Sequence, residues 1–294
     1  MKNFFRVSLV IILFVIIFFG GKYIYDNKFK SQDMEDANNI IAEDSGDNED
    51  EEMDIQEDTL EEKDDNYITL DKNSVRIPIL MYHSISDADP NNNLLVSVKQ
   101  FELEVEWLKE NGFTPILLED VVEAYNTGYV PKKPVAITFD DGYADNYSDA
   151  YRILKEYNMK ATFFIITNNT DNDSFYMNSS MLKEMSQNGM GIENHTSRHI
   201  EFTNISREDK ITVIEEGREA LKEKVGVDSK FVCYPVGKYD DETIEIEKEL
   251  GIEAAVTTEY GISSASDGLY SLKRVRMLPM SIDSFKEVFQ EFLQ

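Results

Sequence analysis

Hydrophobic and polar positions divide the chain into three parts with different patterns. Residues 7–19 are almost uninterruptedly apolar, and residues 31–66 show no sustained apolar period. From about residue 75 onward, short apolar runs alternate with amphipathic stretches. Because this alternation is typical of parallel sheets covered by helices, the third part is expected to form an α/β domain.

The α/β part contains seven candidate strands and six candidate helices. The predicted strands are Ile77–Tyr82, Val135–Phe139, Ala161–Ile166, Met190–Glu193, Phe231–Tyr234, Ala254–Thr257 and Val275–Leu278. The predicted helices are Ser97–Asn111, Asn146–Tyr157, Ser179–Asn188, Arg207–Lys224, Asp241–Leu250 and Ile282–Phe292. About seven strand-helix units favour an irregular (β/α) barrel over an open, doubly wound sheet.

The first 30 residues have the features of a targeting segment. Lys2 and Arg6 precede the apolar run, and no Ala-x-Ala-like cleavage site follows it. We expect residues 1–30 to be an uncleaved transmembrane signal anchor, with a cleaved secretion signal as the alternative. The protein would then be a single-pass membrane protein whose folded domain is extracytoplasmic, or a secreted protein.

Charge separates the second part from the third. Residues 31–66 hold 17 acidic residues against the single Lys63, which predicts a disordered acidic linker. The net charge is −28, with +4 on residues 1–30 and −16 on the linker, which leaves −16 on residues 67–294. An acidic folded domain argues against nucleic acid as a partner. We also expect the protein to be a monomer. The single Cys233 excludes an internal disulfide and a cysteine-based zinc cluster.

Two adjacent carboxylates end one predicted strand, in "AITFDDGYADN". Asp140 and Asp141 follow Val135–Phe139, at the strand end where parallel sheets and barrels place their chemistry. Gly142 allows a sharp turn and the close approach of a ligand. Taken alone, the pair is more typical of an Asp-Gly turn that carries two solvated carboxylates.

Two of the three histidines lie four residues apart, in "ENHTSRH". His195 and His199 follow the predicted strand Met190–Glu193, and a helical turn would place both imidazoles on one face. Two histidines and one carboxylate form a set of divalent-metal ligands that leaves positions open for water and substrate. Together with the paired aspartates, these histidines predict a metal site at neighbouring strand ends.

The stretches "TFDDG", "HTSRH" and "YPVGKYD" resemble, in order, the first three motifs of the polysaccharide deacetylases, the carbohydrate esterases with a NodB-type domain. The preceding "PILMYHSIS" is most similar to the branch that acts on poly-N-acetylglucosamine. The resemblance covers roughly residues 75–294. It implies that Asp141, His195 and His199 bind a divalent metal, with zinc favoured and cobalt, nickel or manganese as alternatives. It also implies that Asp140 is the general base and that the amide of Val236 stabilises the oxyanion.

The chain departs from the family pattern at two positions. Cys233 stands where the third motif usually has an arginine that orients the catalytic aspartate, and Arg274 or Arg276 is expected to supply that charge. The family's terminal Leu-x-His, whose histidine protonates the leaving amine, is absent. His83 is therefore a candidate general acid, with a hydrogen-bonded structural histidine as the alternative.

The function expected from these observations is metal-dependent removal of acetyl groups from N-acetylated cell-surface or cell-wall polysaccharide, of the poly-N-acetylglucosamine or peptidoglycan type. Two alternatives share the site: a glycan-binding protein with little or no turnover, and an O-acetyl esterase acting on xylan-type polymers. A nucleotide site built on Asp140 and Asp141 is weak because the chain has no phosphate-binding loop. Aromatic residues near the motifs are candidates for stacking on sugar rings: Tyr143, Tyr147, Phe175, Tyr176 and Tyr239.

Overall fold

The computed structural model describes residues 65–89 and 91–293, and its centre is a closed barrel of seven parallel strands. The barrel strands are β1 (Ile79–Tyr82), β2 (Pro134–Phe139), β3 (Thr162–Ile165), β4 (Gly191–Asn194), β5 (Phe231–Cys233), β6 (Ala254–Tyr260) and β7 (Leu272–Arg276). Each strand pairs with the next one in the sequence, and β7 pairs with β1 to close the barrel. The predicted (β/α) barrel is confirmed.

Seven α-helices accompany these strands in the described ranges. They are α1 (Val98–Glu110), α2 (Leu118–Thr127), α3 (Arg152–Glu156), α4 (Ser179–Gln187), α5 (Arg207–Lys224), α6 (Asp241–Glu249) and α7 (Ile282–Glu287). The predicted helix Asn146–Tyr157 consists of a π-helical turn, Asn146–Tyr151, followed by α3. The predicted helix Ile282–Phe292 divides into α7 and a 3-10 turn, Gln290–Phe292.

Helix α2 was not predicted, although its ends carry recognisable signals. The Asp120 carboxylate accepts a hydrogen bond from the Leu117 N–H at the start of the helix, and Gly128 ends it with a φ of 81°. A side chain at Gly128 would collide with the Leu70 carbonyl oxygen. Glycine is therefore required at this C-cap on steric as well as conformational grounds.

Short strands outside the closed barrel complete the fold. Tyr67–Thr69 pairs with Tyr129–Pro131, Arg76–Ile77 pairs with Ser263–Ser264, Ser84–Ile85 pairs with Leu95–Val96, and Thr114–Ile116 adds to the outside of β2. The predicted strand Ile77–Tyr82 is thus divided at Pro78, which has no N–H to donate to a ladder.

Successive residues of the barrel strands pack into two different core clusters. Leu80 and Phe139 belong to the cluster that contains Phe101 of α1, whereas Ile79 and Ala136 belong to the cluster that contains residues of α2. All six residues of β2 are buried, as expected for a parallel strand covered on both faces. The apolar side chains of the final helical segment also pack in the core, as Phe285 and Phe289 do, or against it.

Within residues 65–89 and 91–293, no helix has both the length and the apolar character needed to cross a membrane. The predicted anchor, residues 1–30, lies outside the described residues, as does the predicted linker up to residue 64.

Candidate active site

A cleft of about 270 Å³ opens at the carboxyl ends of the barrel strands, and all six site residues predicted from the sequence line it. The lining residues are His83, Leu94, Asp140, Asp141, His195, His199, Tyr234, Val236, Thr258 and Arg276. Leu94 and Thr258 were not predicted, because a single apolar and a single hydroxyl side chain outside any motif give no signal in the sequence.

Asp141, His195 and His199 form a compact set of potential metal ligands. Asp141 Oδ1 lies 3.4 Å from His195 Nε2 and 3.5 Å from His199 Nε2. One donor atom from each of the three residues lies within 4.8 Å of the others. The two imidazoles meet edge to face, with ring centroids 4.6 Å apart. Three side chains from two strand ends therefore converge on one point, as the sequence predicted.

The turn after β2 directs the side chains of Asp140 and Asp141 towards different partners. Asp141 has a φ of 72° and Gly142 a φ of 80°, so two consecutive residues adopt left-handed backbone conformations. A Cβ atom on Gly142 would lie 3.1 Å from Ile165 Cδ1, a tight contact with β3. Aspartate tolerates the left-handed region better than most residues, and glycine occupies it without steric cost.

The segment that carries the two histidines is a turn and not the helical turn considered in the sequence analysis. Thr196 and His199 have φ values of 64° and 52°, and the His199 N–H donates a hydrogen bond of 3.0 Å to Thr196 Oγ1. The imidazoles therefore meet because of left-handed residues within a tight turn. The spacing of four correctly indicated that the two imidazoles lie together, although the segment is a tight turn and not a helical one.

The environment of His195 fits a metal ligand. Its Nδ1 lies 2.8 Å from the carbonyl oxygen of Cys233, so Nδ1 carries the proton and donates to that oxygen. Nε2 then presents a lone pair towards Asp141 and His199, which is the arrangement common among metal-binding histidines. One carboxylate and two neutral imidazoles suit a divalent transition metal such as zinc.

Asp140 is held by a buried arginine. Arg274 donates two parallel hydrogen bonds to it, from Nη1 to Oδ1 at 2.7 Å and from Nη2 to Oδ2 at 2.8 Å. Arg274 is completely buried, and its Nε donates to the Thr257 carbonyl oxygen at 2.8 Å. Burial alone would raise the pKa of Asp140, but the Arg274 guanidinium outweighs it and holds the pKa well below its usual range.

The sequence did not distinguish Arg274 from Arg276 as the charge partner of Asp140. In the structure, Arg274 forms this ion pair. Arg276 lines the cleft instead. Arg274 Nη2 also lies 3.3 Å from Cys233 Sγ, so the cysteine at the motif position leaves room for the guanidinium that arrives from β7.

A second cluster of donor atoms consists of Asp140, His195 and Cys233. It is a poor cation site, because the Arg274 guanidinium already binds both oxygens of Asp140 and contacts the Cys233 sulfur. His195 also directs Nδ1 to the Cys233 carbonyl oxygen. Of the two sets, the one built on Asp141 is the one open to a metal.

His83 lies beside Asp140, at the end of the neighbouring strand β1. Its Nε2 is 3.9 Å from Asp140 Oδ2, and its backbone carbonyl oxygen accepts a hydrogen bond of 2.7 Å from the Asn146 side chain. Burial lowers the pKa of His83, and the carboxylates of Asp140 and Asp141 offset this only partly. An imidazole that faces the cleft beside the predicted base is well placed to exchange protons with it.

Val236 sits on a strained turn at the rim of the cleft. Its φ of 49° and ψ of 18° are unusual for a β-branched residue, and half of its side chain is exposed. The following Gly237 also has a positive φ, and a side chain there would collide with Thr258. Such strain is retained when the surroundings determine the backbone closely, and it is concentrated at functional sites.

The aromatic residues near the motifs differ in their surroundings. The Tyr147 hydroxyl donates to Glu184 at 2.7 Å, and Tyr239 stacks on Tyr234 with centroids 4.4 Å apart. Tyr143 and Tyr176 stack on each other, whereas Phe175 is 77% exposed. Stacking of these rings on sugar remains a prediction.

Comparison with known proteins identifies the family. Residues 127–255 match the polysaccharide deacetylase family. The chain is 37% identical over 205 residues to the Bacillus subtilis (strain 168) protein named "Putative polysaccharide deacetylase YxkH", covering 69% of this chain and 72% of that one. It is 25% identical over 242 residues to the poly-beta-1,6-N-acetyl-D-glucosamine N-deacetylase of Staphylococcus aureus (strain MSSA476), covering 72% and 81%.

A solved structure agrees with these relatives. The Streptococcus pyogenes deacetylase PplD, in complex with acetate, superposes with a TM-score of 0.71 at 35% identity. The match covers 74% of this chain and 99% of that one. Together with the barrel and the cleft, these relatives indicate a hydrolase of the carbohydrate esterase type. The chain belongs to the polysaccharide deacetylase family.

Proposed function

We propose that this protein is a divalent-metal-dependent N-deacetylase of an N-acetylated polysaccharide at the cell surface or in the cell wall. The observation that carries the proposal is the convergence of Asp141, His195 and His199 beside Asp140, which Arg274 holds in a fixed orientation. The site thereby separates a metal half, formed by the first three residues, from a proton-transfer half that contains Asp140, Arg274 and His83.

Asp141, His195 and His199 would hold the metal, with zinc favoured. When bound, such a metal supplies Lewis-acid polarisation of a water molecule and of the acetamide carbonyl. Asp140 does not belong to this ligand set, because Arg274 occupies both of its oxygens with in-plane hydrogen bonds. Each of these oxygens keeps a second lone pair, which can accept a proton from the attacking water.

Protons would pass from Asp140 towards His83. Arg274 holds the pKa of Asp140 well below its usual range, so a proton taken up by Asp140 is bound weakly. The imidazole of His83, whose Nε2 lies 3.9 Å from Asp140 Oδ2, is positioned to receive it. His83 would then deliver the proton to the leaving nitrogen, so that acetate and a free amine are formed.

The Val236 N–H would stabilise the negative charge that develops on the acetyl oxygen. Its backbone is fixed by the strained turn and by the close contact of Gly237 with Thr258. A preorganised backbone donor requires no particular side chain, so a valine can serve at this position.

Poly-N-acetylglucosamine is the favoured substrate, with peptidoglycan next. The support is the similarity to the Staphylococcus aureus enzyme, whose name specifies poly-beta-1,6-N-acetyl-D-glucosamine. The acidic catalytic domain is also compatible with a product that gains amines and positive charge, since opposite charges attract.

The direct test is release of acetate by the purified full chain. The substrate panel would contain poly-β-1,6-N-acetylglucosamine, peptidoglycan, chitin oligomers and acetylated xylan, with zinc, cobalt, nickel or manganese added after chelation. We expect release from an N-acetylated polymer that stops with the chelator and resumes with metal. Release from acetylated xylan alone would indicate an O-acetyl esterase, and glycan binding without release would indicate a binding protein.

Two substitutions test the assignment of roles. Asp140→Asn should retain metal binding but lower the rate roughly 100-fold or more, because the proton acceptor is lost. His195→Ala should lose both metal and turnover. Metal content by mass spectrometry separates the two results, and wild-type turnover in Asp140→Asn would show that Asp140 is not the base.

We further propose that the protein is membrane-anchored with its catalytic domain outside the cytoplasm, with secretion as the alternative. The support is the apolar run at residues 7–19 behind Lys2 and Arg6. Recovery of the full chain in the membrane fraction, with the catalytic domain accessible to protease in intact cells, is the expected result. Recovery in the cytosol would contradict it.

A further inference from the structure

A buried polar network lies behind the proton-transfer half of the site. Glu104 of α1 is completely buried, and both of its carboxylate oxygens are occupied. The Tyr82 hydroxyl donates to Oε2 at 2.7 Å, and Gln100 Nε2 donates to Oε1 at 2.7 Å. Burial raises the pKa of Glu104 to about 7. Burying a carboxyl group costs free energy, so we expect Glu104 to have a structural or functional role at this position.

Tyr82 connects this network to two residues of the proton-transfer half. It directly precedes His83, and its carbonyl oxygen accepts a hydrogen bond of 2.9 Å from the Asp140 N–H. Its ring stacks on Phe139, the residue before Asp140, with centroids 5.3 Å apart. The position of the Tyr82 side chain therefore affects the ends of both β1 and β2.

Gln100 connects the same network to the strand that carries Arg274. Its Nε2 also donates to the Leu278 carbonyl oxygen at 2.9 Å, and its Oε1 accepts from the Met280 N–H at 3.2 Å. Leu278 and Met280 belong to the segment that leaves β7. Helix α1 therefore fixes the chain immediately beyond β7 through one amide side chain.

The metal half is supported by different contacts. The His195 ring is bonded to Cys233, and the Ser197 N–H in the same turn donates to the Val213 carbonyl oxygen of α5 at 2.9 Å. Among the described residues, neither Glu104 nor Gln100 hydrogen-bonds to a residue of this turn. The two histidines thus have supports separate from this network, whereas Asp141, the third potential ligand, directly follows Asp140 at the end of β2.

We propose that Glu104, together with Gln100, is a positioning residue for proton transfer. It holds Tyr82 and the end of β7 so that His83, Asp140 and Arg274 keep their mutual geometry, while His195 and His199, two of the three potential metal ligands, are held by other contacts. This inference rests on the proposed function, because it assigns Glu104 a role in that reaction.

The test compares Glu104→Leu and Glu104→Gln in the full chain. Kinetics of acetate release give kcat and KM, and titration with zinc gives the metal affinity. Glu104→Leu should lower kcat roughly 10- to 100-fold, the scale of small misplacements of catalytic groups, with KM unchanged and zinc affinity lowered far less than kcat, because two of the three potential ligands are held by other contacts. Glu104→Gln should recover most of the rate, because its amide oxygen accepts from Gln100 and its NH₂ group donates to Tyr82 Oη.

Arg218→Leu is the matched control for loss of a side chain that ties a helix to the barrel. Arg218 of α5 donates from Nε to the Ser229 carbonyl oxygen at 3.1 Å and from Nη1 to the Leu250 carbonyl oxygen at 2.7 Å. Ser229 and Leu250 precede β5 and β6, at the end of the barrel opposite the cleft. This variant should unfold more easily than the wild type but retain its kcat.

The proposal would be overturned by a wild-type kcat in Glu104→Leu, or by a parallel fall of kcat and zinc affinity. If Glu104→Leu does not fold, Gln100→Leu decides by the same comparison: a kcat that falls far more than zinc affinity supports the proposal, and any other result refutes it. A wild-type chain that releases no acetate from any substrate would instead refute the proposed function.

Discussion

At the scale of single residues, the ion pair between Arg274 and Asp140 is the best-defined interaction of the site. Arg274 makes four side-chain contacts in a fully buried position: the Asp140 carboxylate, Thr138 Oγ1, the Thr257 carbonyl oxygen and Cys233 Sγ. A guanidinium matches a carboxylate with two parallel hydrogen bonds, which fixes orientation as well as charge. Asp140 is consequently held in one plane.

Substitutions of Arg274 should distinguish the effect of its positive charge from the effect of its two parallel hydrogen bonds. In Arg274→Lys the positive charge remains but the two parallel hydrogen bonds are lost, so we expect kcat to fall roughly 10- to 100-fold with metal binding retained. In Arg274→Met the buried Asp140 carboxylate loses its partner, and we expect a loss of about 3–5 kcal/mol in unfolding free energy. Kinetics with added zinc and urea denaturation provide the measurements.

Arg152→Met is the control for this pair of variants. Arg152 is exposed and approaches Asp149 and Glu156 only to 3.9 Å, so its loss should change stability by less than about 1 kcal/mol and leave kcat unchanged. Full activity in Arg274→Lys would show that charge alone, and not the bidentate geometry, orients Asp140.

The sequence could not choose between Arg274 and Arg276 for a physical reason. The predicted strand Val275–Leu278 began after Arg274, whereas β7 covers Leu272–Arg276. Two residues along a strand correspond to a rise of about 6.6 Å, which is enough to move a side chain from the barrel interior to the rim of the cleft. Arg274 is buried and Arg276 is exposed, so a small error in strand position concealed the deeper arginine.

At the scale of elements, the metal-binding turn depends on how closely α5 approaches β4. Gly217 of α5 faces Asn194, and a Cβ atom at this position would lie 2.2 Å from Asn194 Oδ1. Asn194 Nδ2 donates to the Ile214 carbonyl oxygen of the same helix at 2.9 Å. Because His195 directly follows Asn194, the contact with helix α5 determines the backbone position of His195.

Gly217→Ala should therefore weaken metal binding. Alanine improves helix propensity by about 1 kcal/mol, but the collision with Asn194 costs about 1–3 kcal/mol, so a modest net loss of stability is expected. Displacement of Asn194 should also lower zinc affinity, which titration would detect. Glu215→Ala, at an exposed position of the same helix, should change neither quantity; unchanged zinc affinity in Gly217→Ala would contradict the coupling.

The bounds of α5 could be predicted from the sequence, and the predicted range is the observed one. The contact through Gly217 could not, because a glycine within a helix pattern gives no indication of which neighbour approaches it. The π-helical turn Asn146–Tyr151 is a comparable case, since its composition does not distinguish it from an α-helix. Local patterns thus determine where elements lie but not how closely they pack.

At the scale of the whole molecule, closure of the barrel brings the site together. β7 pairs with β1, so that Arg274, near one end of the sequence of strands, reaches Asp140 on the second strand. An open sheet with the same strands would leave these residues apart. The number and order of strands were predictable from alternating patterns, whereas closure was only favoured, because it depends on a pairing between distant segments.

Buried glutamates with raised pKa values make the stability of this barrel depend on pH. Glu104, Glu193 and Glu247 are buried, and desolvation raises the pKa of each, to about 7 for the first two and about 8 for Glu247. Glu247 accepts a hydrogen bond of 2.6 Å from the Tyr234 hydroxyl, while its Oε1 has no partner. It is thus the least satisfied of the three.

Stability should therefore fall as the pH rises towards 8. The pKa of Glu247 in the folded state is about 8, against an ordinary value of 4.5, so between these values the native state retains a proton that the unfolded state has released. Folding is then favoured at the acidic end, and the loss on reaching pH 8 is on the order of a few kcal/mol.

Denaturation of the wild type and of Glu247→Gln at intervals from pH 6 to 9 measures this contribution, because the contributions of other groups cancel in the difference. The advantage of the wild type over Glu247→Gln should decrease steadily up to pH 8 and then level off. Glu245→Gln, exposed on the same helix α6, should keep the wild-type slope, and a constant difference between wild type and Glu247→Gln would show that Glu247 is ionised in the native state throughout.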